Sequence, residues 1–199
     1  MTRERKQNVD HMVLYFALFD TEIGTCGIAW GARGIAGVQL PEASAQMTRA
    51  RLRHRFPEAQ EAPPNAATKR AVEGIILLLR GERINLSDLP LDMSAVPPFH
   101  RRVYDAARKV EPGKTTTYGA LAGQIEAQGA ARAVGQALAR NPFALIVPCH
   151  RVIAANGRMG GFSANGGEAT KRRLLAIEGL GEQGGSRNSA LARAWHGAI

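Results

Sequence analysis

An α+β fold is predicted for this chain, with a small antiparallel sheet and two helices in the first half and a mainly helical second half. Three observations predict it. Up to residue 41, short apolar stretches alternate with turn residues at the spacing of a meander. Beyond residue 97, apolar residues recur at helical spacing between Gly and Pro stops. The charge divides at the same place: residues 1–96 carry 12 Lys and Arg against 11 Asp and Glu, whereas residues 97–199 carry 14 against 6. The formal charge of +9 and the pI near 10.4 thus belong to the second half. That asymmetry points to a polyanionic partner or to solvated cationic faces.

Taken in order, residues 11–19 (HMVLYFALF) read as a strand, and residues 24–30 and 35–40 as two more, separated by GARG. Residues 42–56 carry Met47, Leu52 and Phe56 at roughly helical spacing, with Arg49, Arg51, Arg53 and Arg55 between them and Pro57 as the stop. These arginines read as a solvated helix face. A second helix opens at Pro63, Pro64 and Asn65 and runs through Leu79 to Arg80 and Gly81. Residues 84–98 hold three prolines and no period, so a linker is expected there, with a domain boundary near residue 96.

The 199 residues, 45% hydrophobic and 22% charged, suffice for one sizeable core or two small ones without staples. The N-terminal stretch MTRERKQNVD is charged, and purely apolar runs such as residues 75–79 are far too short to cross a bilayer. A soluble, non-secreted, cytoplasmic protein with no membrane partner is expected. Cys26 and Cys149 form neither a zinc signature nor a disulfide framework, so no metal and no cofactor is expected, and Cys26 is read as structural.

In the second half, Phe99, Val103, Ala106, Ala107 and Val110 mark an amphipathic helix closed by Pro112 and Gly113. The threonines of KTTTYGALAGQI suit a short strand or turn, and helix resumes at Tyr118. Gly129 then separates this helix from AARAVGQALAR. Two short helices joined by a tight turn and preceded by a longer one form a helix-turn-helix pattern. The second helix offers Ala130, Ala131, Ala133 and Gly135 with a single early Arg132, and lacks the side chains that read base edges. Either its small face packs on another helix, or it binds the minor groove tolerantly of sequence, with Arg132 entering the stack.

The stretch LIVPCHRV, residues 145–152, sets Cys149 beside His150, with Arg151 next. Cys149 is either an inert buried thiol or a nucleophile. A thiol near pKa ~8.5 is only slightly ionised at neutral pH and needs a base with an acid behind it. His150 can be that base only if the backbone turns here or a water bridges the pair, because neighbours on an extended chain face apart. Glu168 and Glu178 are the next acidic residues. Glu178 ends KRRLLAIEG, with Gly179 at the C-cap position, where a carboxylate opposes the helix dipole. It is either a solvated surface group or the third member of a relay.

These residues resemble one family closely, the O6-alkylguanine-DNA alkyltransferases. PCHRV is accompanied in order by TTTYGALA, GAARAVGQAL, ARNP, NGRMGGFS and KRRLLAIEG, a match that is continuous over roughly residues 97–180. The resemblance implies a ribonuclease-H-like domain over 1–96, a winged helix-turn-helix-like DNA-binding and catalytic domain over 97–180, and a tail over 181–199. It implies irreversible alkyl transfer from O6-alkylguanine, and from O4-alkylthymine, to Cys149 without turnover. His150 would draw the thiol proton through a bridging water, and Glu178 would orient the imidazole. Arg132 resembles the arginine finger that fills the gap left by the flipped nucleotide. Tyr118 would turn the phosphate and donate toward guanine N3, and Asn141 matches the hinge asparagine. The Val152 carbonyl would accept from the guanine amino group, and the Ser163 N–H would face O6. Gly160, Gly161 and Ser163 belong to one pocket wall, and Arg151 is placed with the DNA-contacting residues. The implied partner is double-stranded DNA, bound in the minor groove by a monomer, with cooperative loading left open.

Three departures stand out. Phe162 replaces the Tyr common before that Ser, Ala144 stands where some members have Pro, and the stretch from Ser163 to Lys171 is about two residues longer. The tail lies beyond the resemblance, with one or two helical turns expected over 189–195. Two rival readings differ in class. A lesion-binding protein without transfer would lack the reactive cysteine, and a Cys-His-Glu acyl hydrolase would need an oxyanion hole but no basic half.

Overall fold

The computed structural model describes residues 13–180. The turns expected at 189–195 lie outside these residues, as does His11.

The meander forms from β1 (Tyr15–Thr21), β2 (Gly24–Gly31) and β3 (Gly34–Gln39). The first strand starts at Tyr15 rather than at residue 11, because its pairing with β2 runs only from Tyr15 opposite Trp30 to Thr21 opposite Gly24. A short β4 (Gln60–Glu61) adds parallel to β1, giving the order β3-β2-β1-β4. Both faces are covered. Phe16 and Ala29 meet Leu52 of α1 (Ala45–Arg55) on one side. Ala17, Cys26, Ile28, Trp30 and Val38 face the main core on the other, which is why β2 reads as a nearly continuous apolar run.

Helix α1 begins at Ala45, later than residue 42, because Ser44 is its N-cap and accepts from the Met47 N–H at 3.2 Å. Asn65 caps α2 (Ala66–Leu79) in the same way, at 2.9 Å from the Thr68 N–H, and Ala71, Ile75, Leu78 and Leu79 are buried. The proline-rich stretch that follows is pinned to the sheet. Ile35 N–H donates to the Pro90 carbonyl at 2.9 Å, and Asp92 N–H donates to the Ile35 carbonyl at 2.8 Å. Gly34 permits this approach, since at φ +120° a Cβ there would lie 2.5 Å from the Pro90 oxygen.

The second half contains α3 (Pro98–Ala107), α4 (Tyr118–Gln124), α5 (Ala131–Ala139) and α6 (Gly167–Ile177). The expected helix through Val110 ends at Ala107, where tight turns take over: Lys109 and Val110 donate to the carbonyls of Ala106 and Ala107. Thr117 caps α4, accepting from the Ala120 N–H at 3.1 Å. Helix α3 supports the α4–turn–α5 pair, with Tyr104 Oη donating to the Ala137 carbonyl at 2.9 Å and its ring edge-on to Phe143. A two-stranded parallel sheet, β5 (Thr116–Thr117) with β6 (Val152–Ile153), ties the start of α4 to the Cys-His segment.

One core cluster runs from Cys26, Ile28 and Ile75 through Val103, Tyr104 and Val134 to Phe143, Val147 and Leu174. The halves also meet through backbone: Val38 N–H donates to the Pro142 carbonyl at 2.8 Å. Among the described residues no helix is long and apolar enough to cross a membrane.

Candidate active site

Residues Cys149–Arg151 form a single 3₁₀ turn between the apolar stretch ending at Pro148 and β6. The backbone therefore turns where cooperation of Cys149 with His150 requires it. Cys149 is partly exposed, whereas His150 is 1% exposed.

Behind His150 lies a buried carboxylate. His150 Nε2 is 2.8 Å from Glu178 Oε1. Arg151 donates to the same carboxylate from Nε, at 2.9 and 3.1 Å, and from Nη2, at 2.8 Å. The Gly113 N–H adds a bond to Oε2 at 3.1 Å. Glu178 caps the end of α6 and is 9% exposed, which removes the solvated-surface reading. Burial would raise its carboxyl, but His150 and Arg151 hold it down to about 2. Burial also lowers His150, against the pull of Glu178, so the imidazole is neutral near neutral pH. With Glu178 ionised, Nε2 carries the proton and Nδ1 is the free base. Nδ1 is buried and has no hydrogen-bond partner among the described residues.

The thiol is held between opposing influences. Burial pushes it up, while the Asn141 side chain and the Lys171 charge draw it down. Asn141 is itself fixed, donating from Nδ2 to the Val147 carbonyl at 2.8 Å and accepting from the Phe143 N–H at 2.9 Å. Lys171 is fully buried and donates to the Val152 carbonyl at 2.6 Å and to the Met159 carbonyl. The Val152 carbonyl thus accepts from a buried cation.

Tyr118 opens α4 and presents its ring to three neighbours. Lys171 Nζ lies 5.8 Å from its centroid, Gly135 of α5 packs against its edge, and Gly160 abuts its hydroxyl. Gly160 has φ +68°, and a Cβ there would lie 2.8 Å from Tyr118 Oη. Burial, then the neighbouring Cys149, raises the phenol, so it is a proton donor at neutral pH. Gly161 and Ser163 are exposed on the same loop, and Ser163 lines the cleft that reaches Cys149.

On α5, Ala130, Ala131, Ala133 and Gly135 are half-buried and Arg132 is exposed. No side chain caps the helix start. Arg151 requires a correction. Expected among the DNA-contacting residues, it is 5% exposed, bonded to Glu178 and to the Val110 carbonyl at 2.6 Å, so it cannot reach a phosphate.

Sequence reasoning missed Lys171. Its signal was present, because Lys171 shares the apolar face of Leu174, Leu175 and Glu178 at i+3, i+4 and i+7. It also missed Gly113, whose part is played by its backbone N–H.

Comparison with known proteins agrees with this geometry. Residues 98–180 match the family model described as 6-O-methylguanine DNA methyltransferase, DNA binding domain. The chain is 33% identical over 174 residues to the bifunctional transcriptional activator/DNA repair enzyme Ada of Escherichia coli, covering 87% of this chain but 48% of that protein, so it spans about half that relative's length. It is 32% identical to a methylated-DNA–protein-cysteine methyltransferase of Methanothermobacter thermautotrophicus, covering 79% of this chain and 81% of that one. The crystal structure of Mycobacterium tuberculosis OGT in complex with DNA superposes with a TM-score of 0.66 at 33% identity, covering 82% of this chain and 92% of that one. With the thiol, its buried His-Glu pair and the helix-turn-helix found together, these likenesses place the chain in the methylated-DNA–protein-cysteine methyltransferase family.

Proposed function

We propose that this chain repairs O6-alkylguanine, and O4-alkylthymine, by turning the damaged nucleotide out of duplex DNA and moving its alkyl group irreversibly to Cys149 in one turnover. The observation that carries this reading is the buried Glu178–His150 pair set behind a partly exposed thiol at the mouth of a cleft. Ionised Glu178 fixes the Nε2–H tautomer, and Nδ1 takes the thiol proton through a bridging water. Sγ then attacks the alkyl carbon as the carbon–O6 bond breaks. Tyr118 donates toward guanine N3 as charge develops on the ring. The Val152 carbonyl and the Ser163 N–H hold the base, and Lys171 and Asn141 keep the surrounding backbone in place. Chemistry on a stacked base requires extrusion, at a cost of about a few kcal/mol that pocket contacts must offset.

The minor groove is the expected docking surface for α5, whose alanines permit close approach while Arg132 occupies the vacated stack. Residues 97–180 would carry binding and chemistry, and residues 1–96 would support them, in a cytoplasmic monomer. The test is the intact mass after incubation with a duplex carrying O6-methylguanine. A stoichiometric gain of one methyl, mapped to Cys149, is expected, and an unmodified protein sinks the proposal.

Two further outcomes follow. Arg132→Ala should slow repair of duplex DNA far more than transfer from free O6-benzylguanine, because only the former requires extrusion. Equal losses on both would make Arg132 an ordinary structural residue. Gly160→Ala should displace the Tyr118 hydroxyl and strain the loop, lowering transfer by roughly tenfold, the low end of what a positioned proton donor contributes. An unchanged single-turnover rate would show that Tyr118 tolerates displacement.

A further inference from the structure

The cleft that reaches Cys149, about 230 Å³ in volume, is walled on one side by the N-terminal half, and that side is cationic. Arg51 and Arg55 of α1 line that side, Arg140 after α5 adds a third cation from the second half, and among the described lining residues Glu42 is the one carboxylate. Glu42 Oε1 already accepts from Gln39 Nε2 at 3.2 Å. Arg55 is half-buried, and all its bonds go to neutral acceptors: Gln39 Oε1 at 3.0 Å and the carbonyls of Pro142 at 3.2 Å and Val38 at 3.4 Å. Burial and the neighbouring Arg51 both act against its charge. A half-buried guanidinium without a carboxylate, beside two more cations, leaves a positive potential that an anion relieves. The residues that line the cleft together with Cys149 include two small ones, Ala144 with only a methyl and Ser163 with a small hydroxyl.

We propose that this cleft makes the protein selective for O6-alkyl lesions whose alkyl group ends in a carboxylate. The inference rests on Cys149 being the acceptor. In the reaction Sγ bonds to the methylene carbon and the methylene–O6 bond breaks. The electron pair stays on the guanine, which ends with the proton the thiol gave up, and the product is S-carboxymethyl-Cys149. The carboxylate does not react. It sits among Arg51, Arg55 and Arg140 while the methylene lies between sulfur and O6.

The test compares single-turnover rates on duplexes carrying O6-carboxymethylguanine, its neutral isostere O6-carbamoylmethylguanine, and O6-methylguanine. Wild type should favour carboxymethyl over carbamoylmethyl by about tenfold, as expected for a charge-assisted contact. The doubly substituted Arg51→Gln/Arg140→Gln protein, altered only at exposed positions, should bring that ratio close to one. Using the ratio within each protein cancels any general loss of DNA binding. A wild-type ratio of one or less overturns the proposal, as does a tenfold ratio that survives the double substitution. If carboxymethyl, carbamoylmethyl and methyl transfer fall in parallel in the variant, the arginines hold the DNA backbone instead, and the proposal fails. Absence of methyl transfer in wild type would refute Cys149 as acceptor, an outcome distinct from loss of the charge preference.

Discussion

Cys149→Ser should bind a duplex carrying O6-methylguanine about as well as wild type and transfer nothing to itself. On the proposed mechanism affinity would come from phosphate contacts and the extruded base, which the substitution leaves alone, whereas a serine hydroxyl is far too weak an acid to ionise here. Burial already pushes the Cys149 thiol up, so in the proposed reaction even the thiol would need a base, and an alcohol would be out of that base's reach. Gel-shift titration and intact mass after prolonged incubation check both halves of the expectation. A methyl found on the serine variant would refute Cys149 as acceptor. Cys26, fully buried on the core face of β2 with its thiol pushed up to about 12, should be replaceable without loss of transfer.

Glu178→Gln should lower the transfer rate by roughly one to three orders of magnitude, with partial recovery at alkaline pH, where the thiol ionises unaided. The amide keeps the shape but no longer fixes the His150 tautomer, and it leaves Arg151, 5% exposed, without its counter-charge. Removing one partner of a buried pair costs about 3–5 kcal/mol, so a lowered melting temperature is expected too, and rates should be compared where both proteins remain folded. The pH dependence has a definite sign. The Glu178 carboxyl is depressed to about 2 in the folded protein against ~4.3 in an unfolded chain. Its stabilisation is therefore present above about pH 4.3 and lost as pH falls toward 2. Wild type should show this acid loss between those limits, and the Gln variant should lack it. Matching pH–rate profiles for the two proteins would remove Glu178 from the relay.

Much of this was legible in the sequence because it rests on local rules. The meander follows from short apolar stretches between Gly turns, and the starts of α2 and α4 follow from Asn65 and from the return to helix at Tyr118, whereas the spacing puts the start of α1 at residue 42, three residues before Ala45. The Cys-His pairing and the Glu178 helix end are likewise a matter of spacing within one segment. What was not legible depends on contacts between distant segments. The pinning of residues 84–97 to β3 runs through main-chain bonds at Ile35, Pro90 and Asp92, which leave no side-chain period. Arg151 looked like a surface cation because its partners, Glu178 and Val110, lie 27 and 41 residues away. Of the α1 arginines read as a solvated face, Arg51 and Arg53 are exposed and Arg49 and Arg55 half-buried, and nothing in their own spacing says that Arg51 and Arg55 face a cleft reaching Cys149.

The Pro142 carbonyl accepts from Val38 N–H on β3 and from Arg55 on α1, immediately after Asn141. The first half of the chain therefore completes the architecture of the reactive segment. An excised fragment starting at residue 97 would bare Phe143 and Val147, both fully buried in the intact protein, and would lose both donors to that carbonyl. A chain severed within residues 84–96 keeps every one of these contacts available. Two such pieces, each soiled by exposed apolar surface when alone, have reason to find one another, so repair activity could report their reunion as a split reporter does.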